Sequence, residues 1–315
     1  MVPLHPQAQK LLDNLTSAPT ALNQMTPKKA RLAYDKFIKT RNFDLEPVNN
    51  VIDQVVDGPN GSISMRIFWP KSTVNKTLPV FVFFHGGGFV MGSVESREPQ
   101  LRKIANRVGC IVVAARYRLA PENKFPAAHD DSLTVANWLI NNAHSLNGNP
   151  KKLAIGGDSA GGNLAAFVCQ NVVDSETDNF LLQVLIYPTT DFLFNLDLPS
   201  YKLLDKPYFL TRKQVDWYQN QFLPDGIDRR DLRLGPALAE NFSGLPPALI
   251  ITAEFDPLRD DGKNYANLLR KSGSPVKYIC YDGMIHGFFH YGKVIDAAGH
   301  SLEEVIKSLK EAFAN

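Results

Sequence analysis

The residues of this chain that could do chemistry fall into three short groups far apart in the sequence. The first, Gly156-Gly157-Asp158-Ser159-Ala160-Gly161-Gly162, follows the apolar run Leu153 to Ile155 and opens a helix-like stretch at Ala160. A strand that turns so sharply into a helix holds its serine in a strained conformation and thrusts the hydroxyl outward. Gly157 and Gly161 leave room where side chains would collide. The helix start aims N–H groups and a positive dipole end at the same spot. Ser159 is therefore the candidate nucleophile. A phosphate loop shares this geometry but needs lysine and then serine or threonine after its last glycine. Here Gly161 is followed by Gly162 and Asn163, and no G-x-G-x-x-G pattern appears in the segment, so nucleotide binding lacks support.

The second group, His85-Gly86-Gly87-Gly88-Phe89, directly follows the run Val80 to Phe84. Acyl transfer requires the oxyanion of a tetrahedral intermediate to meet preorganised N–H donors, and glycine lets a substrate come close to them. Gly87, Gly88 and the N–H of Ala160 are the candidate donors of an oxyanion hole. His85 lies upstream of the serine and beside the glycines, so its expected role is to tie the loop down.

The third group pairs Glu254-Phe255-Asp256-Pro257-Leu258-Arg259-Asp260 with Tyr281-Asp282-Gly283-Met284-Ile285-His286-Gly287-Phe288. Both segments begin where a strand ends, and the carboxyl ends of strands form the binding edge of an open α/β sheet. A serine hydroxyl attacks poorly until an imidazole can take its proton, and the imidazole needs a carboxylate to fix its tautomer. Ser159, Asp256 and His286, in that order, supply the set as catalytic candidates. His129, His144, His290 and His300 fall in or near helix-like stretches and are set aside. Glu254, Asp260 and Asp261 compete with Asp256, and Asp260 is expected to cap the helix that follows.

These groups need a scaffold, and from about residue 50 short apolar runs alternate with helix-like stretches, the pattern of an α/β chain with a mostly parallel sheet. Strands are expected at Val51 to Val56, Ile63 to Trp69, Val80 to Phe84, Ile111 to Ala115, Leu153 to Gly156, Leu182 to Tyr187, Ala248 to Ala253 and Val276 to Tyr281. Helices are expected at Arg97 to Val108, Pro126 to Ala143 with the proline in the first turn, Ala160 to Val173, Asp260 to Lys271 and Ser301 to Ala314. Residues 1 to 45 read as amphipathic helices without strands. Between about 190 and 225, Phe192, Phe194, Tyr201, Tyr208, Phe209, Trp217, Tyr218 and Phe222 crowd together, and their place ahead of Asp256 points to a cap over a pocket.

The 315 residues, 44% of them hydrophobic, can bury a large core with a smaller attached piece. Thirty-four basic and thirty-two acidic side chains leave a formal charge of +2, too weak a field to gather nucleic acid or an anionic membrane. The apolar runs are far shorter than the roughly 20 residues that span a bilayer, so no stable membrane insertion is expected. Met1 to Lys10 lacks the basic tip and apolar stretch of a secretory signal. Cys110, Cys169 and Cys280 fit reduced, buried thiols better than a disulfide frame, which favours the cytoplasm.

Taken together, His85 to Phe89, Gly157 to Gly161, Asp256 to Asp260 and His286 to Phe288 resemble the hormone-sensitive-lipase-like family of bacterial esterases, in the α/β-hydrolase superfamily. Tyr117-Arg118-Leu119-Ala120-Pro121-Glu122 and Phe125-Pro126-Ala127-Ala128 are similar to that family too, as expected scaffold, and Asp158 before the serine resembles its GDSAG branch. The resemblance implies an α/β-hydrolase fold with an eight-stranded mostly parallel sheet. A cap would combine residues 1–45 with an insertion at about 190–225 of a catalytic domain spanning 46–315. It also implies hydrolysis of small, short-acyl carboxylic esters through an acyl-enzyme, with no cofactor and no metal. The expected partner is a small-molecule ester, and a homodimer is left open. Two rivals use the same scaffold: an amidase or peptidase, and a non-catalytic ligand-binding receptor, whose relatives have lost the histidine that stands here at 286.

Overall fold

Strands buried on both faces need no polar alternation, and the apolar runs of this chain form such a sheet. The computed structural model describes residues 2–16, 21–72, 77–172, 180–192 and 198–314. Its strands are β1 (Asn50–Gly58), β2 (Gly61–Trp69), β3 (Leu78–Phe84), β4 (Ile111–Arg116), β5 (Gly148–Asp158), β6 (Gln183–Ile186), β7 (Ala248–Phe255) and β8 (Val276–Ile285). They join one eight-stranded sheet in the order β1-β2-β4-β3-β5-β6-β7-β8. β2 runs antiparallel to both of its neighbours, and every other pair from β4 to β8 is parallel. Every expected strand is present. All eight residues of β7 are buried, whereas β8 at the far edge is mostly half-buried along its first half.

The helices are α1 (Pro6–Thr16), α2 (Pro27–Lys39), α3 (Val94–Ile104), α4 (Ala127–Asn142), α5 (Ala160–Asn171), α6 (Arg212–Phe222), α7 (Arg259–Lys271) and α8 (Asp296–Ala314). Several starts differ from the expected ones. α3 begins three residues before Arg97 because Ser93 and Ser96 form a reciprocal capping box, each side chain accepting the other's backbone N–H at 3.1 Å. Pro126 stands just before α4 rather than inside its first turn, and α8 starts at Asp296 rather than Ser301. Asp260 does not cap α7: the cap position is Leu258, and the Asp260 carboxylate instead accepts the Ser200 N–H at 2.9 Å. Val173, the expected end of α5, lies outside the described residues.

One large core joins both faces of the sheet to the helices, and a small satellite cluster of Tyr201, Leu204, Leu210, Val215 and Leu258 holds the 198–222 segment to the start of α7. α5 lies hard against the sheet. A Cβ on Gly161 would stand 2.0 Å from the carbonyl oxygen of Phe84, and one on Gly157 would stand 2.2 Å from that of Gly161. Backbone cannot yield as a flexible side chain can, so α5 and the serine at its start are held where they are by two absent methyl groups. Gly161→Val is expected to destabilise the protein by at least the 1–3 kcal/mol or so typical of overpacking. A urea midpoint equal to the parent's would contradict this packing.

Candidate active site

β5 ends at Asp158 and α5 begins at Ala160, so Ser159 alone makes the turn, at φ 54° and ψ −117°. That left-handed value is costly for a residue with a Cβ, on the order of 1–3 kcal/mol, and persists because the flanking strand and helix leave no alternative. The Ser159 N–H is anchored on the carbonyl of Ile186 at 2.8 Å.

Across the sheet edge, β7 delivers Asp256 and β8 delivers His286. His286 Nδ1 lies 2.7 Å from Asp256 Oδ2, and His286 Nε2 lies 3.0 Å from Ser159 Oγ. A carboxylate can only accept, so the proton sits on Nδ1, and the lone pair on Nε2 receives the serine hydroxyl. Asp256 is fully buried, and its other oxygen accepts the N–H of Leu258 at 2.9 Å. Its rivals are engaged elsewhere: Glu254 accepts the N–H groups of Gly283 and Val2, Asp260 pairs with Arg259, and Asp261 takes the Tyr201 hydroxyl at 2.5 Å. Among the other histidines, His129 meets Asn163 at 3.1 Å and His290 meets Asp158 at 3.0 Å.

The glycine loop faces the same serine, and Gly87, Gly88 and Ala160 line one pocket with Ser159 and His286. Gly86 spends its N–H on Asp158 Oδ1 at 2.9 Å, while Gly87 uses its carbonyl to accept from Val90 and Met91. Gly87 and Gly88 have φ of +127° and +62°, and a Cβ on Gly88 would meet the Tyr218 ring at 2.5 Å. His85 behaves as a tie: its Nδ1 lies 2.9 Å from the Gly86 carbonyl, its own carbonyl accepts the Tyr117 hydroxyl at 2.6 Å, and the two rings stack. Burial first of all lowers its pKa from 6.5 to about 4, so it is neutral at neutral pH. Arg118 forks onto Asp131, and Arg31 of α2 bonds Glu122 and the carbonyls of Val90 and Ala120. The segment from 117 to 122 is therefore scaffold for the loop.

Sequence reasoning passed over the group behind the serine. Asp158, 1% exposed, receives Arg97 Nε and Nη2, each at 3.0 Å, as well as Gly86 N–H and His290 Nε2. Burial alone would raise the Asp158 pKa; Arg97 and His290 outweigh it and hold the carboxyl far below the usual range. Burial, reinforced by Arg97, lowers His290 from 6.5 to about 4, so a neutral ring donates to Asp158. Tyr187, at φ 35° just after β6, places its hydroxyl 2.9 Å from His290 and its ring against His286 with centroids 4.7 Å apart. Nothing local marks Arg97 or His290, because their partners lie 61 and 132 residues away.

Of the crowded aromatics, Phe192, Phe209, Tyr218 and Phe222 line the pocket together with Leu22 and Tyr34 from the N-terminal segment. Tyr208 packs on Phe255, Trp217 packs on Tyr218, and Phe194 lies outside the described residues. Phe89 stacks on Phe222 with centroids 4.1 Å apart and closes one wall.

A family model described as the alpha/beta hydrolase fold matches residues 81–290. A carboxylesterase of Mycobacterium tuberculosis, NlhH, is 37% identical over 98% of this chain and 96% of its own, and an arylesterase of Saccharolobus solfataricus is 35% identical over 77% and 78%. Among solved structures, a hyperthermophilic esterase from the archaeon Pyrobaculum calidifontis superposes with a TM-score of 0.91 at 36% identity, covering 98% of this chain and 99% of that one. An ester hydrolase from the metagenome of Lake Arreo, complexed with a bipyridine phosphonate derivative, reaches 0.94 at 35% identity over 99% and 100%. The chain belongs to the α/β-hydrolase family, in its hormone-sensitive-lipase-like branch of esterases.

The buried pair behind the serine generates a stability prediction. Asp158→Asn strands the Arg97 guanidinium as an uncompensated charge and is expected to lower the unfolding free energy by about 3–5 kcal/mol. An unfolding curve in urea that overlays the parent's would contradict the buried pairing.

Proposed function

We propose that this chain hydrolyses small carboxylic esters with short acyl chains, using Ser159 as nucleophile, His286 as base and Asp256 as its orienter. The observation that carries the reading is the continuous line of hydrogen bonds from Asp256 through His286 to Ser159, opening on an apolar pocket beside the glycine loop. Ser159 Oγ attacks the ester carbonyl carbon as His286 Nε2 takes its proton. The negative oxygen that forms is met by the N–H groups of Gly87, Gly88 and Ala160. The intermediate collapses, the C–O bond to the alcohol breaks, and His286 hands its proton to the departing oxygen. Water, deprotonated by the same imidazole, then attacks the acyl-enzyme and releases the carboxylic acid with the serine restored. Asp256 stabilises the imidazolium throughout and keeps its own charge.

Residues 1–45 and about 190–225 act together as the cap over this site, since Leu22, Tyr34, Phe209, Tyr218 and Phe222 all line the pocket. Phe89, Phe192 and Phe222 close the apolar wall, which supports the short-acyl preference. The thiols Cys110 and Cys169 are buried and Cys280 is half-buried, which supports a reducing, cytoplasmic setting. His286 stands within reach of Ser159, so the receptor reading has no observation in its favour.

Ser159→Ala and His286→Ala are each expected to lower kcat for 4-nitrophenyl butyrate by about 10⁴-fold or more. Circular dichroism should show the fold retained. Parent-like turnover by either folded variant would refute the assignment.

A further inference from the structure

The pocket wall is not uniformly apolar. α6 turns Val215, Tyr218, Gln219 and Phe222 towards the cavity, the three-and-four spacing of one helix face, so a carboxamide interrupts an otherwise hydrophobic stripe. Thr189, just beyond β6 and next to the elbow serine's own segment, lines the same cavity. Both side chains are more than nine-tenths buried, at 7% and 6% exposure. Among the described residues the Gln219 carboxamide meets no hydrogen-bond partner and stays open to the cavity, whereas Thr189 Oγ1, also unpartnered, is closed off from it, so Gln219 is the group a ligand can meet.

Among the described residues, other glutamines in or near the core make side-chain hydrogen bonds, although Gln183 Oε1 is itself left unpaired. Gln100 bonds the Phe289 carbonyl and Asn42, Gln183 bonds the Pro246 carbonyl, and Gln214, which also faces the pocket, gives its oxygen to Thr211 in the capping box of α6. Gln219 has no such duty. A hydrocarbon that displaced water from this carboxamide would leave a polar group buried and unpaired, at a cost of about 1–3 kcal/mol, so a ligand that pairs it is favoured over a hydrocarbon of the same shape. The charge of that ligand is limited as well. The described residues lining the pocket include no lysine or arginine, so a carboxylate or phosphate would enter without a counter-ion from them.

We propose that Gln219 forms a polar subsite that selects esters carrying an uncharged oxygen function, a hydroxyl or carbonyl, on the chain that runs past α6. The proposal rests on the esterase reading and names its substrate class. The test compares kcat/KM within two matched pairs. On the acyl side these are 4-nitrophenyl pentanoate and its 4-oxo derivative; on the alcohol side they are pentyl acetate and 4-oxopentyl acetate. In Gln219→Met, which keeps size and helix propensity, the oxo-to-hydrocarbon ratio is expected to fall about tenfold in one arm, for a lost hydrogen bond of about 1.4 kcal/mol. The arm that responds identifies the chain lying against α6. Gln219→Leu is expected to lower the same ratio and serves if the first variant folds poorly. Ratios unchanged in both variants and both arms would overturn the proposal. Failure of the parent to hydrolyse any of the four esters would instead overturn the esterase reading.

Discussion

A carboxylate with almost no contact with water is the fixed point of this molecule. Asp158 is 1% exposed, and an isolated charge there would be neutralised or would unfold its surroundings. It stays ionised because the equally buried Arg97 of α3 forks onto both oxygens, with His290 and the Gly86 N–H filling the remaining positions. These four groups, the carboxylate and its three partners, come from four places in the fold. The carboxylate belongs to the elbow, Gly86 to the glycine loop, His290 to the turn after His286, and Arg97 leads on through the Tyr34 hydroxyl to α2. One desolvated charge thus ties together the elbow, the glycine loop and the turn that follows His286.

That constraint explains why strain can persist next door. Ser159 occupies a left-handed conformation, Phe89 and Tyr187 do the same at φ 62° and 35°, and all three flank the pocket. Glycines stand where a Cβ would collide: one on Gly86 would fall 2.3 Å from the Asp158 carboxylate and 2.5 Å from its backbone carbonyl oxygen. The backbone around the site is over-determined by close packing and by buried hydrogen bonds, the rigidity that a preorganised set of N–H donors requires.

The sheet was readable from the chain because parallel strands covered on both sides need uninterrupted apolar residues, and runs such as Val80 to Phe84 stand out without any partner. The chemistry-bearing motifs were readable for a related reason: glycines at 87 and 88 take positive φ, and those at 86, 157 and 161 stand where a Cβ would collide with a neighbour. What stayed hidden is tertiary. Ser93 and Ser96 gave a short-range signal for the start of α3 that two serines in a polar stretch hardly advertise. β8 runs on to Ile285 past Gly283, carried by an irregular register against β7 between Ala253 and Phe255. Asp260 looked like a cap and is instead a receptor for the Ser200 N–H from the 198–222 segment. Arg97 and His290 look like any arginine on a helix or histidine in a turn until the fold brings Asp158 between them.

The most direct measurement is a crystal structure after reaction with a small alkyl 4-nitrophenyl phosphonate, whose tetrahedral phosphorus imitates the acyl intermediate. The account predicts a covalent bond from Ser159 Oγ to phosphorus, His286 Nε2 at hydrogen-bond distance, and the phosphoryl oxygen about 2.7–3.1 Å from the N–H groups of Gly87, Gly88 and Ala160. Phosphorus bonded to another residue, or a phosphoryl oxygen turned away from the glycine loop, would contradict it.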